Sequence, residues 1–93
     1  MFDIKKLKEE SERYATIRER RHVKSLSRQI NHNIKKAVRS GAKFACLRED
    51  IYEKPCIITR IRATLARFYT EHGFKVNSLE DPYDIALKIS WED

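Results

Sequence analysis

The side chains that most often do chemistry in proteins are few in this chain and poorly spaced for it. Its cysteines are Cys46 and Cys56, and its histidines are His22, His32 and His72. No pair of them has the C-x2–4-C or H-x3–5-H spacing of a zinc site, so no metal and no other cofactor is expected. The two cysteines read as small buried thiols, reduced in a chain without secretory features. A cysteine nucleophile would need a histidine beside it, and only His72, at a helix end, has the geometry. There a cation caps the last carbonyls instead. Glu49, Asp50 and Glu53 follow a strand, where catalytic carboxylates are often carried, but the cluster reads as a solvated loop. Gly41 and Gly73 are the only glycines, too few for a phosphate-cradling loop. An enzyme is not expected.

What remains is positive charge. Residues 1–43 carry thirteen Lys or Arg against five Asp or Glu, a balance of +8, whereas residues 44–93 carry seven against nine, a balance of −2. Between Arg20 and Arg48 there is no carboxylate. At 100° per residue, Lys24, Arg28, Lys35 and Arg39 share one helical face, with Asn31 and His32 nearby, opposite Leu26, Ile30, Ile34 and Ala37. A smaller stripe, Arg60, Thr64 and Arg67, lies on a later helix. Spaced cations of this kind neutralise a phosphate backbone or meet an acidic protein, and they also make an ordinary solvated face. Helix-turn-helix glycines, zinc-finger spacing and RNP-like aromatic strands are all missing.

The elements that carry these residues follow from periodicity. Asp3 is an N-cap, and from there to Ser40 no Pro or Gly interrupts a helical pattern that Gly41 stops. Within it the apolar stripe changes phase: Ile4, Leu7 and Tyr14 keep one face, and Val23, Leu26, Ile30, Ile34, Ala37 and Val38 keep another. One straight helix cannot bury both on the same core, so residues 1–21 are expected as a helical arm, bent near residues 15–22 or continuing past the domain's edge. Residues 22–93 form a single small α+β domain.

Phe44–Leu47 reads as a short buried strand and Arg48–Lys54 as a polar connection. Pro55 opens a helix to His72 whose core face is Ile58, Ile61, Leu65, Phe68 and Tyr69. Gly73 closes that helix, with Phe74 folding back on Tyr69. Phe74–Leu79 is a second strand and Glu80-Asp81-Pro82 a turn. The strict alternation of Tyr83, Ile85, Leu87, Ile89 and Trp91 marks a third strand. If the first two strands are parallel neighbours, a three-stranded mixed sheet results, with both helices on one face and Asp84, Lys88 and Ser90 on the open one. Trp91 is a lid over that sheet or an aromatic anchor at an interface.

Ninety-three residues, 37% charged and 41% hydrophobic, suit one domain with one core. No apolar run approaches the ~20 residues of a membrane span, and Met-Phe-Asp-Ile-Lys-Lys is not a signal peptide.

The pattern Ile30-x3-Ile34-x2-Ala37-x3-Gly41, a short apolar strand, a helix ending His72-Gly73-Phe74-Lys75-Val76, and Tyr83-x-Ile85-x-Leu87-x-Ile89-Ser90-Trp91 resembles small orphan proteins of tailed bacteriophages and prophages. The resemblance covers residues 26–91. It implies an α-β-α-β-β domain of phage origin, located in the host cytoplasm or the virion, and it transfers no catalytic residue. Such proteins look like accessory factors, either virion components or host-directed binders.

The expectation is therefore a phage accessory protein that docks on a larger protein assembly through its basic N-terminal helix, with Ile4, Leu7 and Tyr14 as the contact stripe. A second copy of the chain is an alternative occupant of that stripe. The alternative function is nucleic-acid binding through Lys24, Arg28, Lys35, Arg39, Arg60 and Arg67. No membrane partner is expected.

Overall fold

The structure, a computed structural model, describes residues 3–80 and 83–91. Helix α1 runs Ile4–Arg39 without interruption. Asp3 caps it, its carboxylate accepting the Lys5 amide at 3.0 Å. At the other end Gly41 takes φ +81°, and the amides of Gly41 and Ala42 donate back to Val38 and Ala37 at 3.1 and 2.9 Å. This pairing is a Schellman stop. Helix α2, Pro55–Glu71, ends the same way. Gly73 has φ +92°, its amide donates to Thr70, and the Phe74 amide donates to Tyr69, both at 3.0 Å. The Phe74 ring then lies edge-on to Tyr69 with centroids 5.9 Å apart, the hydrophobic contact expected of that motif.

Three strands complete an α+β fold: β1 Phe44–Asp50, β2 Lys75–Glu80 and β3 Asp84–Ser90. Their order is β1-β3-β2, and both pairings are antiparallel. The expected mixed sheet is thus corrected. β1 and β2 do run the same way, joined by α2, but β3 lies between them and pairs with both. Its Ile85, Leu87 and Ile89 are the most completely buried run in the sheet, and the central position surrounds them on either side. The unit is a split β-α-β.

Both helices cover one sheet face. Leu26 and Ile30 of α1 and Ile58, Ile61 and Leu65 of α2 meet Leu47, Ile85, Leu87 and Ile89 in one core. Asn33 of α1 also donates its side-chain amide to the Cys46 carbonyl at 3.0 Å, tying the helix to strand β1. Trp91 is half-buried against Phe74, rings edge-on at 6.2 Å, and its amide donates to Lys43 at 3.0 Å. The lid reading of Trp91 fits this placement.

Several expectations change. α1 has no break near residues 15–22, because its first stripe turns away from the core and nothing requires a bend. Apolar packing on the core begins at Ala15, inside the segment expected as arm, so Ala15 and Arg18 belong with the domain's contacts. Both cysteines are exposed free thiols rather than core residues. In β1 the inward positions fall to Ala45 and Leu47, which turns Cys46 outward. β1 also continues through the expected polar connection as far as Asp50, because its pairing with β3 continues to Asp84. Val38, Phe68 and Tyr83 are exposed at the edges of their apolar stripes. Of the turn Glu80-Asp81-Pro82, Asp81 and Pro82 lie outside the described residues.

Candidate functional site

The basic face of α1 is built by the core on its opposite side. Leu26 and Ile30 are drawn inward, which turns Lys24, Arg28, Lys35 and Arg39 to solvent, within about 60° of one another at 100° per residue. They span about 22 Å of helix at 1.5 Å per residue. All four are exposed, and none is within ion-pair distance of a carboxylate among the described residues. Arg67 on α2 is in the same condition, whereas Arg60 Nε stands 3.5 Å from Glu19 Oε2.

The two stripes meet at one member each, while Arg28, Lys35, Arg39, Arg60 and Arg67 lie outside the shared lining. Lys24 and Thr64 line opposite walls of one groove between α1 and α2, with a volume of about 440 Å3. Arg20 joins the α1 wall, and Val23, Leu65 and Phe68 form its apolar floor. Glu19, the carboxylate in this lining, is the one held by Arg60. Phe68 is 44% exposed. The His72 ring tilts over it at 4.4 Å, held by a 2.8 Å hydrogen bond between His72 Nδ1 and the Phe68 carbonyl. His72 therefore caps its own helix, as expected.

A buried phenol sets the spacing of the groove walls. Tyr69 lies in the core, and its hydroxyl donates to Asn31 Oδ1 at 2.7 Å, with Ser27 Oγ at 3.2 Å. Burial pushes the phenol pKa above its usual value, and the Ser27 hydrogen bond partly offsets this. Ser27 and Asn31 are one turn on from Lys24 and Arg28 respectively, so this cluster fixes how the α1 cations face α2.

The other candidate groups do not converge. Glu53 is drawn under α1, its side chain 8% exposed, with Arg18 Nε at 3.0 Å and His22 Nε2 at 3.4 Å. Asp50 points to the outer sheet face opposite Asp84, while Glu49 is half-buried on the inner side. Among the described residues no three His, Cys, Asp or Glu side chains are grouped to hold a metal ion. No helix among the described residues is long and apolar enough to cross a membrane. Buried Arg62, which donates to the Asp84 carbonyl at 2.7 Å, braces the start of β3.

No protein-family model matches this chain, and no curated protein or solved structure does. Function rests on the molecule's own surfaces.

One of those surfaces is the start of α1. Ile4, Leu7 and Tyr14 are 70%, 43% and 62% exposed, and Ile17, which the periodicity does not single out, is exposed beside them. Periodicity also misses Arg20, the Glu53 clasp and Phe68 as a surface residue. The signal for Phe68 is its position at the rim of the α2 apolar stripe. For the clasp there is none, since Arg18 and Glu53 are thirty-five residues apart.

Proposed function

We propose that this protein is a non-enzymatic accessory module of phage kind that docks on a larger protein assembly through the N-terminal part of α1. The observation that carries this reading is the projecting helix. Thirty-six residues make a rod of about 54 Å at 1.5 Å per residue, and the molecule measures 61 × 21 × 20 Å. Among the described residues, the stretch before Ala15 buries nothing in the core, only Ser11, Glu12 and Tyr14 of it flank the start of α2, and an isolated helix of that length is marginal in water. Its apolar stripe of Ile4, Leu7 and Tyr14 suits a partner surface that would supply the missing burial. The resemblance of residues 26–91 to phage accessory proteins supports the setting, a virion or the host cytoplasm.

The test is co-purification from nuclease-treated host lysate with the full chain and with an Ile4→Glu, Leu7→Glu, Tyr14→Glu variant. The expected result is a stoichiometric protein partner that the variant loses while its melting temperature is unchanged. The same partner retained by the variant overturns the reading.

A second reading, nucleic-acid binding, is favoured by a separate observation: Lys24, Arg28, Lys35, Arg39 and Arg67 are exposed and lack carboxylate partners among the described residues. Cations held apart from counter-charges on one face suit a polyanion.

A further inference from the structure

We infer that the groove between α1 and α2 takes single-stranded nucleic acid, its phosphates following Arg20, Lys24 and Arg67 and one base stacking on Phe68. The inference rests on the nucleic-acid reading and adds the kind of strand and its path. Three features of the groove carry it.

The α1 wall is basic. Arg20 and Lys24 line it, facing Thr64, Leu65 and Phe68 on α2, and the exposed Arg67, one turn beyond Thr64, stands outside the lining. The carboxylate in the lining, Glu19, is neutralised by Arg60 at 3.5 Å, so the groove presents net positive charge to whatever enters. Glu71, one turn past Arg67, ends the basic track on α2.

The floor is apolar and includes a half-exposed aromatic ring. A duplex keeps its bases stacked inside and presents phosphates and groove edges, for which Phe68 has no use. A single strand offers base faces, and the combination of a positive track with an aromatic platform is how proteins hold one without reading its sequence. An acidic polypeptide would use the cations but gains nothing comparable from stacking.

The platform is also stiff. Phe68 lies edge-on to Tyr69 at 5.1 Å, and His72 covers it from the helix end. The Tyr69 hydroxyl locks α2 to α1 at Ser27 and Asn31. A ring held in place loses little freedom when a base stacks on it.

Fluorescence anisotropy of the full chain with a labelled twelve-nucleotide oligo(dT) tests this, alongside a twelve-base-pair duplex and poly-glutamate as competitor. The expected result is tighter binding of oligo(dT) than of duplex, with a salt slope of about −2 for three phosphate contacts on a single strand. Phe68→Ala should lower oligo(dT) affinity about tenfold and leave the slope unchanged, while Arg67→Glu should flatten the slope. Circular dichroism reports whether Phe68→Ala folds, and Phe68→Tyr, which keeps the ring, should bind like the wild type. Equal binding of duplex and oligo(dT), with Phe68→Ala unaffected, overturns the inference and leaves the nucleic-acid reading standing. Poly-glutamate displacing oligo(dT) at equal charge concentration overturns it in favour of an acidic protein. No binding of either nucleic acid at 50 mM salt overturns both.

Discussion

Tyr69 and Asn31, thirty-eight residues apart in sequence, join the two helices through one short hydrogen bond of 2.7 Å from a phenol whose ring lies in the core. Removing that hydroxyl tests how much the helix pair depends on it. Tyr69→Phe keeps the buried ring, and Ser27 and Asn31 can turn to water. The expected cost is about 1 kcal/mol, read from the urea midpoint at unchanged m-value.

The same hydroxyl has a pH signature. Its folded pKa is raised above the ordinary value of 10.0, chiefly by burial, so the folded state favours the protonated phenol. That contribution is complete below pH 10 and is lost as pH rises through the folded pKa, because the unfolded chain then binds fewer protons than the native one. Thermal melts from pH 9 to 11.5 should show wild type losing more stability than Tyr69→Phe. Parallel curves for the two would contradict the assignment.

Glu53 and Arg18 fasten the middle of α1 to the loop before α2 at 3.0 Å. Glu53→Ala should loosen this attachment. The pair is half-exposed on the Arg18 side, which limits the expected loss to about 1 kcal/mol. Hydrogen exchange is the sharper measurement: amides of residues 15–22 should lose protection while those of residues 26–37 keep it.

Where α1 first meets the domain can be read from truncation. Removing residues 1–14 should leave the melting temperature within a few degrees of the full chain. Removing residues 1–21 also takes Ala15 and Arg18 and should lower it visibly further.

The thiols offer a simple check of strand register. Cys46 lies on the outer sheet face across from Lys88, and Cys56 is exposed in the first turn of α2. Both should alkylate fully in native protein. Protection of Cys46 until denaturation would mean that β1 is shifted by one residue, with Cys46 rather than Leu47 in the core.

Much of this was legible without a structure, wherever the cause is local. The Asp3 cap, the two glycine stops, the fold-back of Phe74 on Tyr69, the His72 cap and the inward alternation of Ile85, Leu87 and Ile89 each depend on residues a few positions apart. So does the basic face of α1, since 3.6 residues per turn places Lys24, Arg28, Lys35 and Arg39 together whatever the rest of the chain does.

Tertiary structure decided what depends on distant partners. A four-residue apolar run, Phe44-Ala45-Cys46-Leu47, does not say which alternate residues face inward; packing against α1 and β3 turned Cys46 out. Nor does strand order follow from strand identity, and the insertion of β3 between β1 and β2 made the sheet antiparallel. The groove is tertiary as well: Thr64 and Phe68 come to face Arg20 and Lys24 only because Tyr69 packs α2 against Ser27 and Asn31. Local spacing sets which side of a helix a residue occupies. What that side faces is settled by the element packed against it.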